Sequence, residues 1–400
     1  MTLLLSNTRS GAKEPFAPAG PEVLLYVCGP TVYGEAHMGH ARSYVTFDVL
    51  RRYLEYRGMR VRHVQNYTDV EDSITKRARE SGEDPLAYAT RRIEAFRRDM
   101  DRLRVRPAHA YPRVTEHLPE IIATVSRLLE GGWAYERNGS VYFRARRSRS
   151  LGSLSHQDVV AATAGTVEQG EREDVLDFAV WKRAKPDEPS WDSPWGRGRP
   201  GWHVECFALG SKHLGPQLDL HGGGQDLIYP HHESEEMIAE AVTGRPWSRF
   251  WLHNGFLLLE SAKMSKSLGN VAPLAPFLEE HGADVLRLCL VKEHYRDNVE
   301  HDPVCFRVSA EQVAGLRKAW EKVQLLGRGE ATGKAEALAR HSTQRFVAAM
   351  DDDLDTTDAV VAVIEFAEAV KELQDVSTDE ARLLQDTFRG FLSVLGLFGQ

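Results

Sequence analysis

Val23-Leu24-Leu25-Tyr26-Val27-Cys28 is a short apolar run that is bounded by Pro21 and by Gly29-Pro30. A continuous apolar run of this length between turn residues predicts a strand buried on both faces. A helical pattern follows over 41–56, and a second strand pattern follows over 60–65. Strand, turn, helix and strand in this order form a βαβ unit, which favours a parallel sheet. The sequence therefore predicts an α/β fold with a doubly wound, Rossmann-type sheet.

The rest of the chain extends this fold with helices, a hairpin and further strands. The patterns predict helices over 84–103 and 115–130, a hairpin over 133–144 that turns at Asn138-Gly139, a loop over 185–202, strands over 217–220 and 250–259, and helices from Ala310 onward. The region between the two sets of strands is thus an insertion in one sheet domain. Apolar stripes over 360–367 and 383–395 predict a helical bundle at the end.

Composition narrows the class of protein. The 400 residues are 42% hydrophobic and 27% charged, which is ordinary for a globular protein. No apolar run approaches the ~20 residues of a membrane helix, and the first residues lack the features of a signal peptide. We therefore expect a cytoplasmic protein with no membrane partner. The net charge of -8 is unfavourable for a dedicated DNA-binding protein, but it leaves room for an RNA partner on a local basic patch.

Four cysteines are spread over the chain as Cys28, Cys206, Cys289 and Cys305. They form no Cys-x-x-Cys pair, so we expect no disulfide framework. Cys289 lies in the apolar stretch 286–291 and has the pattern of a core residue. Each cysteine taken alone is equally well explained as a small buried hydrophobic residue.

His37-Met38-Gly39-His40 opens the first predicted helix. A helix N-terminus presents free N–H groups and the positive end of the helix dipole, which suits phosphate oxygens. Two imidazoles one turn apart add donors, and Gly39 leaves room for a ring or a phosphate to approach. Taken alone, the motif also fits a capped helix start with surface histidines.

Lys263-Met264-Ser265-Lys266-Ser267 is the second motif. Two lysines three apart on a loop of small residues can neutralise a triphosphate whose negative charge grows on the leaving pyrophosphate. Alone, the segment also fits a solvated basic turn. Both motifs together predict an ATP site in which His37, His40, Lys263 and Lys266 are catalytic and Gly39 contributes to ATP binding.

The two motifs resemble those of class I aminoacyl-tRNA synthetases, and longer segments resemble the cysteinyl-tRNA synthetase family. These segments are residues 26–33, Gly201-Trp202-His203-Val204-Glu205-Cys206, residues 221–227, Pro230-His231-His232-Glu233-Ser234-Glu235 and Ala349-Met350-Asp351-Asp352-Asp353. The similarity runs through nearly the whole chain. It implies that L-cysteine and ATP, with magnesium, form cysteinyl-adenylate, and that cysteine then passes to the 3′ end of tRNA(Cys).

The resemblance places a zinc ion on Cys28, Cys206, His231 and Glu235. Two thiolates, an imidazole and a carboxylate are a reasonable zinc set, and residues 231 and 235 share one face of a helix. Serine differs from cysteine by one atom, and an apolar pocket separates such pairs poorly. Because zinc prefers a thiolate to a neutral hydroxyl, it would select the substrate directly.

Further roles follow from the resemblance alone. It implies a cysteine pocket formed by Gly29, Thr31, Thr68 and Trp202. Asp226 would approach the ATP ribose, and Lys266 would be the main ATP-contacting lysine. Core packing is the alternative for Trp202, and a helix cap is the alternative for Asp226.

The resemblance also predicts the division of the chain. We expect the first half of the Rossmann catalytic domain over 1–115, an inserted connective region over 116–200, the second half with zinc ligands over 201–250, the loop with the lysine motif and a stem-contact region over 251–305, and the helical bundle over 306–400. The family commonly has lysine where this chain has Ser73. The bacterial family also continues with an anticodon-reading domain. We expect this chain to lack that domain, either because it is a natural short form or because it is truncated.

Two other functions compete with tRNA charging. A paralogous ligase, as in mycothiol biosynthesis, passes activated cysteine to an amine and also lacks the anticodon domain, but that relative lacks a carboxylate at the place of Glu235. A non-catalytic paralogue would only bind nucleotide or RNA, which the intact motifs disfavour. The expected partners are therefore tRNA(Cys), ATP and L-cysteine, with no DNA, and we expect a monomer.

Overall fold

The computed structural model describes residues 2–157, 170–259, 262–263, 272–300 and 302–399. Within these ranges the strands are β1 Leu4–Asn7, β2 Ala12–Pro15, β3 Val23–Val27, β4 Val61–Gln65, β5 Ala134–Arg137, β6 Ser140–Phe143, β7 Phe178–Arg183, β8 Gly198–Pro200, β9 Leu218–Gly224, β10 Ser248–Asn254, β11 Leu257–Leu259, β12 Ala262–Lys263 and β13 Val299–Glu300. The helices are α1 Met38–Tyr56, α2 Asp72–Ser81, α3 Pro85–Arg102, α4 Leu118–Glu130, α5 Trp202–Leu214, α6 Glu233–Thr243, α7 Leu274–Val291, α8 Pro303–Leu325, α9 Lys334–Asp351, α10 Thr356–Glu372 and α11 Thr378–Leu395.

A four-stranded parallel sheet in the order β10-β9-β3-β4 forms the centre of the first part of the chain. The predicted βαβ unit is confirmed, because α1 joins β3 to its parallel neighbour β4. The later strand β9 pairs with the other side of β3. Ligands of open α/β sheets bind at the carboxyl ends of the strands where the strand order reverses. The ends of β3 and β9 form such a point.

The inserted region contains an antiparallel sheet in the order β5-β6-β7-β8. The predicted hairpin is confirmed as β5 and β6, and both Asn138 (φ 52°) and Gly139 (φ 80°) lie in the left-handed region that such a tight turn requires. The loop predicted over 185–202 is wrong in part, because β8 pairs there with β7.

The C-terminal helices confirm the predicted bundle. Four phenylalanines from α9, α10 and α11 are buried in its centre, namely Phe346, Phe366, Phe388 and Phe391. The helices begin at Pro303 rather than near 310, because Asp302 caps the first turn and proline is favourable there. The α/β class with an added helical domain is thus confirmed, whereas the predicted domain limits stay predictions.

A fully buried group of charges, here called the Asp48 cluster (Asp48, Arg52 and Arg287), joins α1 and α7 to the end of the chain. Asp48 Oδ2 lies 2.5 Å from Arg287 Nη2 and 2.8 Å from Arg52 Nε. The arginines also donate to the carbonyls of Ser393 and Leu395, each at 2.9 Å. Burial alone raises the pKa of Asp48, but Arg287 and Arg52 hold it below the usual range. The cluster therefore fixes the C-terminal helix against the sheet domain.

The expectation of no disulfide is wrong at one position. Cys289 on α7 and Cys305 in the first turn of α8 form a disulfide with a Cα–Cα distance of 5.8 Å. The spacing along the chain gave no sign of it, because the packing of α7 against α8 sets the sulfur positions. No helix among the described residues has the length and apolar character needed to cross a membrane.

Candidate active site

A cavity of about 640 Å³ opens at the carboxyl ends of β3 and β9 and beside the start of α1. Most of the predicted site residues line it, namely Cys28, Gly29, Thr31, His37, Gly39, His40, Thr68, Trp202, Cys206, Asp226 and His231. Glu235 is fully buried beside it. Lys266 lies outside the described residues, and of Lys263 only the backbone is described, in β12.

The turn after β3 places Cys28 and Gly29 at the cavity. A Cβ atom on Gly29 would lie 1.6 Å from the backbone oxygen of Asn66, so only glycine fits this close approach. The backbone N–H of Gly29 donates to Asn66 Oδ1 at 2.8 Å. The chain therefore leaves the strand in one fixed direction, with the Cys28 side chain facing Cys206.

Cys28, Cys206, His231 and Glu235, here called the four-donor cluster, lie together and are all buried. Cys28 follows β3, Cys206 lies on α5, and His231 and Glu235 lie on the π-helical turn Ile228–His232 and on α6. The Sγ atoms of the two cysteines are 3.7 Å apart. Cys206 Sγ is 3.5 Å from His231 Nε2, and Glu235 Oε1 is 3.0 Å from His231 Nε2 and 3.7 Å from Cys28 Sγ.

The sulfur–sulfur and sulfur–nitrogen distances fit the edges of a tetrahedral zinc site. With a zinc–sulfur bond of about 2.3 Å and a zinc–nitrogen bond of about 2.0–2.1 Å, ligand atoms of a tetrahedron are about 3.8 Å apart for two sulfurs and about 3.6 Å apart for sulfur and nitrogen. The observed sulfur–sulfur and sulfur–nitrogen distances are 3.7 and 3.5 Å. The donor set and its geometry therefore both suit zinc.

Behind these donors lies a layer of histidines that the sequence analysis did not assign. His221 Nε2 is 2.8 Å from Glu235 Oε2, and His203 Nδ1 is 3.1 Å from His231 Nδ1. His232 contacts Cys28 Sγ at 3.2 Å and His253 at 2.7 Å. Such outer contacts fix the orientation of metal ligands. The adjacent histidines 231 and 232 were a visible signal, but the pattern alone did not indicate their neighbours.

Burial and mutual contacts shift the pKa values of the four donors. Burial by itself raises the pKa of Glu235, but the imidazoles of His231, His221 and His232 hold it well below the usual range. For His231, burial lowers the pKa and the Glu235 carboxylate raises it, to about 10 as a net result. The hydrogen bond from Cys28 lowers the pKa of Cys206, while burial and then Cys206 raise that of Cys28. In the hydrogen bond between the two thiols, Cys28 is thus the donor and Cys206 the acceptor.

His37 and His40 are both part of the helix cap and part of the cavity wall. His37 Nδ1 accepts from the backbone N–H of His40, and His40 Nδ1 accepts from that of His37, each at 3.3 Å. The two rings stack with centroids 3.7 Å apart. A Cβ atom on Gly39 would meet the His37 ring at 3.0 Å. The helix N-terminus thus presents two fixed imidazoles to the cavity.

Trp202 and Thr68 both line the cavity. The Trp202 ring stacks on His231 with centroids 4.3 Å apart, so it is a wall of the cavity. Thr68 donates to Glu205 Oε2 at 3.1 Å, and Thr31 pairs with Thr68 through the backbone. Burial and then the Cys206 thiolate raise the pKa of Glu205 well above its usual range. Glu205 and Asn66 were not among the predicted site residues.

Asp226 lies in the short 3-10 turn Gln225–Leu227 that follows β9, and it is exposed at the mouth of the cavity. The N-cap of this turn is Gly224, and the alternative role of Asp226 as a helix cap stays a prediction. Ser73, Lys76 and Arg77 line the same mouth from α2. The mouth therefore carries charged groups of both signs, while the floor carries the four donors.

Comparison with known proteins gives two family matches. A model described as "tRNA synthetases class I (C) catalytic domain" matches residues 16–309, and a model described as "DALR domain" matches residues 345–399.

Curated relatives and solved structures are similar as well. A cysteine–tRNA ligase of Thermococcus onnurineus is 43% identical over 411 residues, which cover 100% of this chain and 86% of the relative. A cysteine–tRNA ligase of Desulforudis audaxviator is 43% identical over 98% of this chain and 85% of the relative. Methionyl-tRNA synthetase of Mycobacterium tuberculosis with methionyl-adenylate is similar in fold, with a TM-score of 0.66 at 15% identity, over 94% of this chain and 89% of that one.

Proposed function

The chain belongs to the class I (C) tRNA synthetase family, that of the cysteine–tRNA ligases, and we propose that its cavity activates L-cysteine with ATP and that cysteine then passes to the 3′ end of tRNA(Cys). The observation that carries this proposal is the meeting of two groups in one cavity. The helix N-terminus with His37 and His40 forms one wall, and the thiols of Cys28 and Cys206 form the floor.

The four-donor cluster would hold zinc, since its donor set suits zinc and its sulfur–sulfur and sulfur–nitrogen distances match a zinc tetrahedron. When bound there, zinc supplies a centre that a thiolate ligates far better than a neutral hydroxyl does, which separates cysteine from serine. The residues around this position provide charge, orientation and shielding. Glu235 and Cys206 supply negative charge, His203 and His221 orient their neighbours, and Trp202 covers the imidazole of His231.

The phosphates of Mg-ATP would lie against the start of α1. The carboxylate of cysteine attacks the α-phosphate, the bond to the β-phosphate breaks, and pyrophosphate leaves. Donors aimed at the developing charge stabilise it, and the imidazoles of His37 and His40 are proposed as such donors. Lys263 and Lys266 are proposed to neutralise the pyrophosphate. Gly29, Thr31, Thr68 and Trp202 are proposed to surround cysteine, and Asp226 is proposed to approach the ribose.

The proposal is tested by cysteine-dependent exchange of labelled pyrophosphate into ATP, measured on the zinc-loaded protein. We expect exchange with cysteine, much less exchange with serine, and loss of exchange in Cys206→Ser. A Cys289→Ser/Cys305→Ser double variant is the matched control, since these sulfurs lie in the disulfide between α7 and α8. Equal exchange in wild type and Cys206→Ser would contradict the role of the cluster.

A second assay identifies the acceptor. We expect the chain to attach labelled cysteine to tRNA(Cys). The bond should be an ester, so mild base should release the label from the tRNA. Transfer to an amino-sugar acceptor with no tRNA product would favour the amine ligase instead. Glu235 in the cluster supports tRNA charging. A cytoplasmic monomer without a DNA partner remains a prediction.

A further inference from the structure

A line of buried hydrogen bonds runs from the backbone of the cysteine pocket to a glutamate that the proposed mechanism does not use. The N–H of Gly29 donates to Asn66 Oδ1 at 2.8 Å, and Asn66 Nδ2 donates to Thr68 Oγ1 at 3.3 Å. Thr68 Oγ1 donates to Glu205 Oε2 at 3.1 Å. Asn66, Thr68 and Glu205 are 0%, 2% and 1% exposed. Their contacts are therefore shielded from competing water.

The chemistry of the groups fixes the direction of each bond. A backbone N–H can only donate, so Asn66 must turn its oxygen to Gly29 and its amino group to Thr68. That amino group can only donate as well, so the hydroxyl of Thr68 accepts a hydrogen bond from it. The hydroxyl then donates its own single hydrogen bond to Glu205. Glu205 Oε2 can accept this hydrogen bond whether or not the other carboxyl oxygen is protonated.

This direction determines what Thr68 offers to the cavity that it lines. A hydroxyl has one proton and two lone pairs, of which the proton and one lone pair are occupied by Glu205 and Asn66. The remaining lone pair can accept a hydrogen bond, and no proton is left to donate. At this point the pocket is suited to a group that only donates, which an ammonium group is and a carboxylate is not.

We propose that Glu205 is a positioning residue that acts through Thr68 and makes this wall of the pocket select the α-ammonium group of the substrate amino acid. The inference rests on the proposed function, since it presumes that cysteine occupies the cavity. Asn66 Oδ1 is 3.8 Å from Cys206 Sγ and Asn66 Nδ2 is 3.3 Å from Thr68 Oγ1, so Asn66 bridges the Thr68 hydroxyl and a thiol that is proposed to bind zinc. Cysteine, whose sulfur and nitrogen are three bonds apart, can contact both.

One turn of α5 supplies all of these functions. Trp202, Glu205 and Cys206 are spaced at i, i+3 and i+4, so they share one face of the helix. Trp202 stacks on His231, Cys206 belongs to the four-donor cluster, and Glu205 faces Thr68. One helix turn therefore carries the proposed metal ligand Cys206 and also orients the Thr68 hydroxyl. This fixes the distance between the site for the thiol and the site for the ammonium group.

The test is equilibrium binding to the zinc-loaded protein of two ligands, L-cysteine and 3-mercaptopropionate. The second ligand keeps the thiol and the carboxylate but lacks the amine. Because a hydrogen bond to a charged group contributes about 1.5–3 kcal/mol, we expect the preference for cysteine to fall about 10- to 100-fold in Glu205→Met and in Thr68→Val. Glu205→Gln and Thr68→Ser, which keep the acceptor and the hydroxyl, should retain most of it.

The ratio of the two dissociation constants separates positioning from general damage. If Glu205→Met weakens both ligands by the same factor, the inference is overturned, because a structural role affects them equally. In the Thr68→Val background, Glu205→Met should change the ratio no further, and a full additional effect would also overturn it. Zinc content, measured on each variant, checks that the four-donor cluster is intact. Wild-type protein that binds no cysteine would refute the proposed function itself.

Discussion

The Asp48 cluster and the four-donor cluster are both buried and charged, yet they are built on opposite principles. In the Asp48 cluster, one carboxylate meets two guanidinium groups, which also donate to backbone carbonyls at a helix end. In the four-donor cluster, two thiols and a carboxylate face one imidazole at the floor of a cavity. In the first arrangement, the carboxylate and the backbone carbonyls accept hydrogen bonds from both guanidinium groups. The second converges donors on one point, so convergence beside a cavity, rather than burial of charge, marks the candidate site.

The largest effect is expected from removing a donor. Cys28→Ser should lower the metal content from one zinc per chain toward zero and the affinity for zinc at least ~10³-fold, because serine is a poor zinc ligand. The folded helix content should change little, since Cys28 lies at a strand end. Metal analysis after dialysis against a weak chelator measures the loss. One zinc retained in Cys28→Ser would mean that the cluster does not bind metal as proposed.

The Asp48 cluster should respond in the opposite way. Asp48→Asn leaves two buried guanidinium groups without their carboxylate, so we expect the free energy of unfolding in urea to fall by about 3–5 kcal/mol. The zinc content should stay at one. Asp352→Asn is the matched control, because its partner Lys13 is on the surface and such pairs contribute ~0–1 kcal/mol. Loss of zinc in Asp48→Asn would show that the two clusters are not independent.

His63 provides a third case, a buried ionisable group with no compensating partner. Neither of its ring nitrogens has a hydrogen-bond partner among the described residues, and burial, followed by Arg51, lowers its pKa to about 3. The unfolded chain takes up a proton near pH 6.5 and the folded one does not. Stability from His63 is therefore complete above pH 6.5 and is lost as the pH falls toward 3.

Between about pH 7 and pH 4 this loss amounts to about 3 kcal/mol. His63→Phe should remove that share of the acid-induced fall in the free energy of unfolding, as measured by urea titration at each pH. The exposed residue His341 supplies the control, since His341→Gln replaces a histidine without altering the buried site at His63. An identical acid slope in wild type and His63→Phe would refute the interpretation.

The smallest effect is expected in the histidine layer behind the donors. His221→Gln removes the contact to Glu235 Oε2 at 2.8 Å without removing a proposed ligand. Outer contacts of this kind typically contribute 10- to 100-fold to metal affinity, so we expect a loss of about 1.4–2.7 kcal/mol in zinc binding and retained stoichiometry. Competition with a chromogenic chelator measures it. A complete loss of zinc would instead place His221 among the ligands.

Local pattern was sufficient for much of the fold. The apolar run at 23–28 and the alternation of strands with helices predicted the parallel sheet, and the apolar stripes predicted the bundle. Hydrophobic periodicity is a local property, which is why it can be seen without the structure. Helix α2 was missed, because its ten residues are mostly polar and bury a narrow face formed by Ile74, Thr75 and Ala78.

The site was predictable only where a motif is contiguous or a family resemblance supplied the residues. His37 and His40 are three apart, and the capping geometry that joins them is a property of one helix turn. The histidine layer and the line from Asn66 to Glu205 left no such trace. Their members come from separate strands and helices, so no spacing along the chain relates them.

The sequence by itself thus determined the strand after which the cavity opens, the helix whose start borders it and the residue types able to bind a thiol or a phosphate. The tertiary structure decided that Cys28, Cys206, His231 and Glu235 meet within 4.8 Å, that Cys289 and Cys305 join, and that the proton of Thr68 points to Glu205. The physical reason is that periodicity and turn chemistry act over a few residues. Convergence of donors instead depends on how the ends of parallel strands and the helices between them pack in three dimensions.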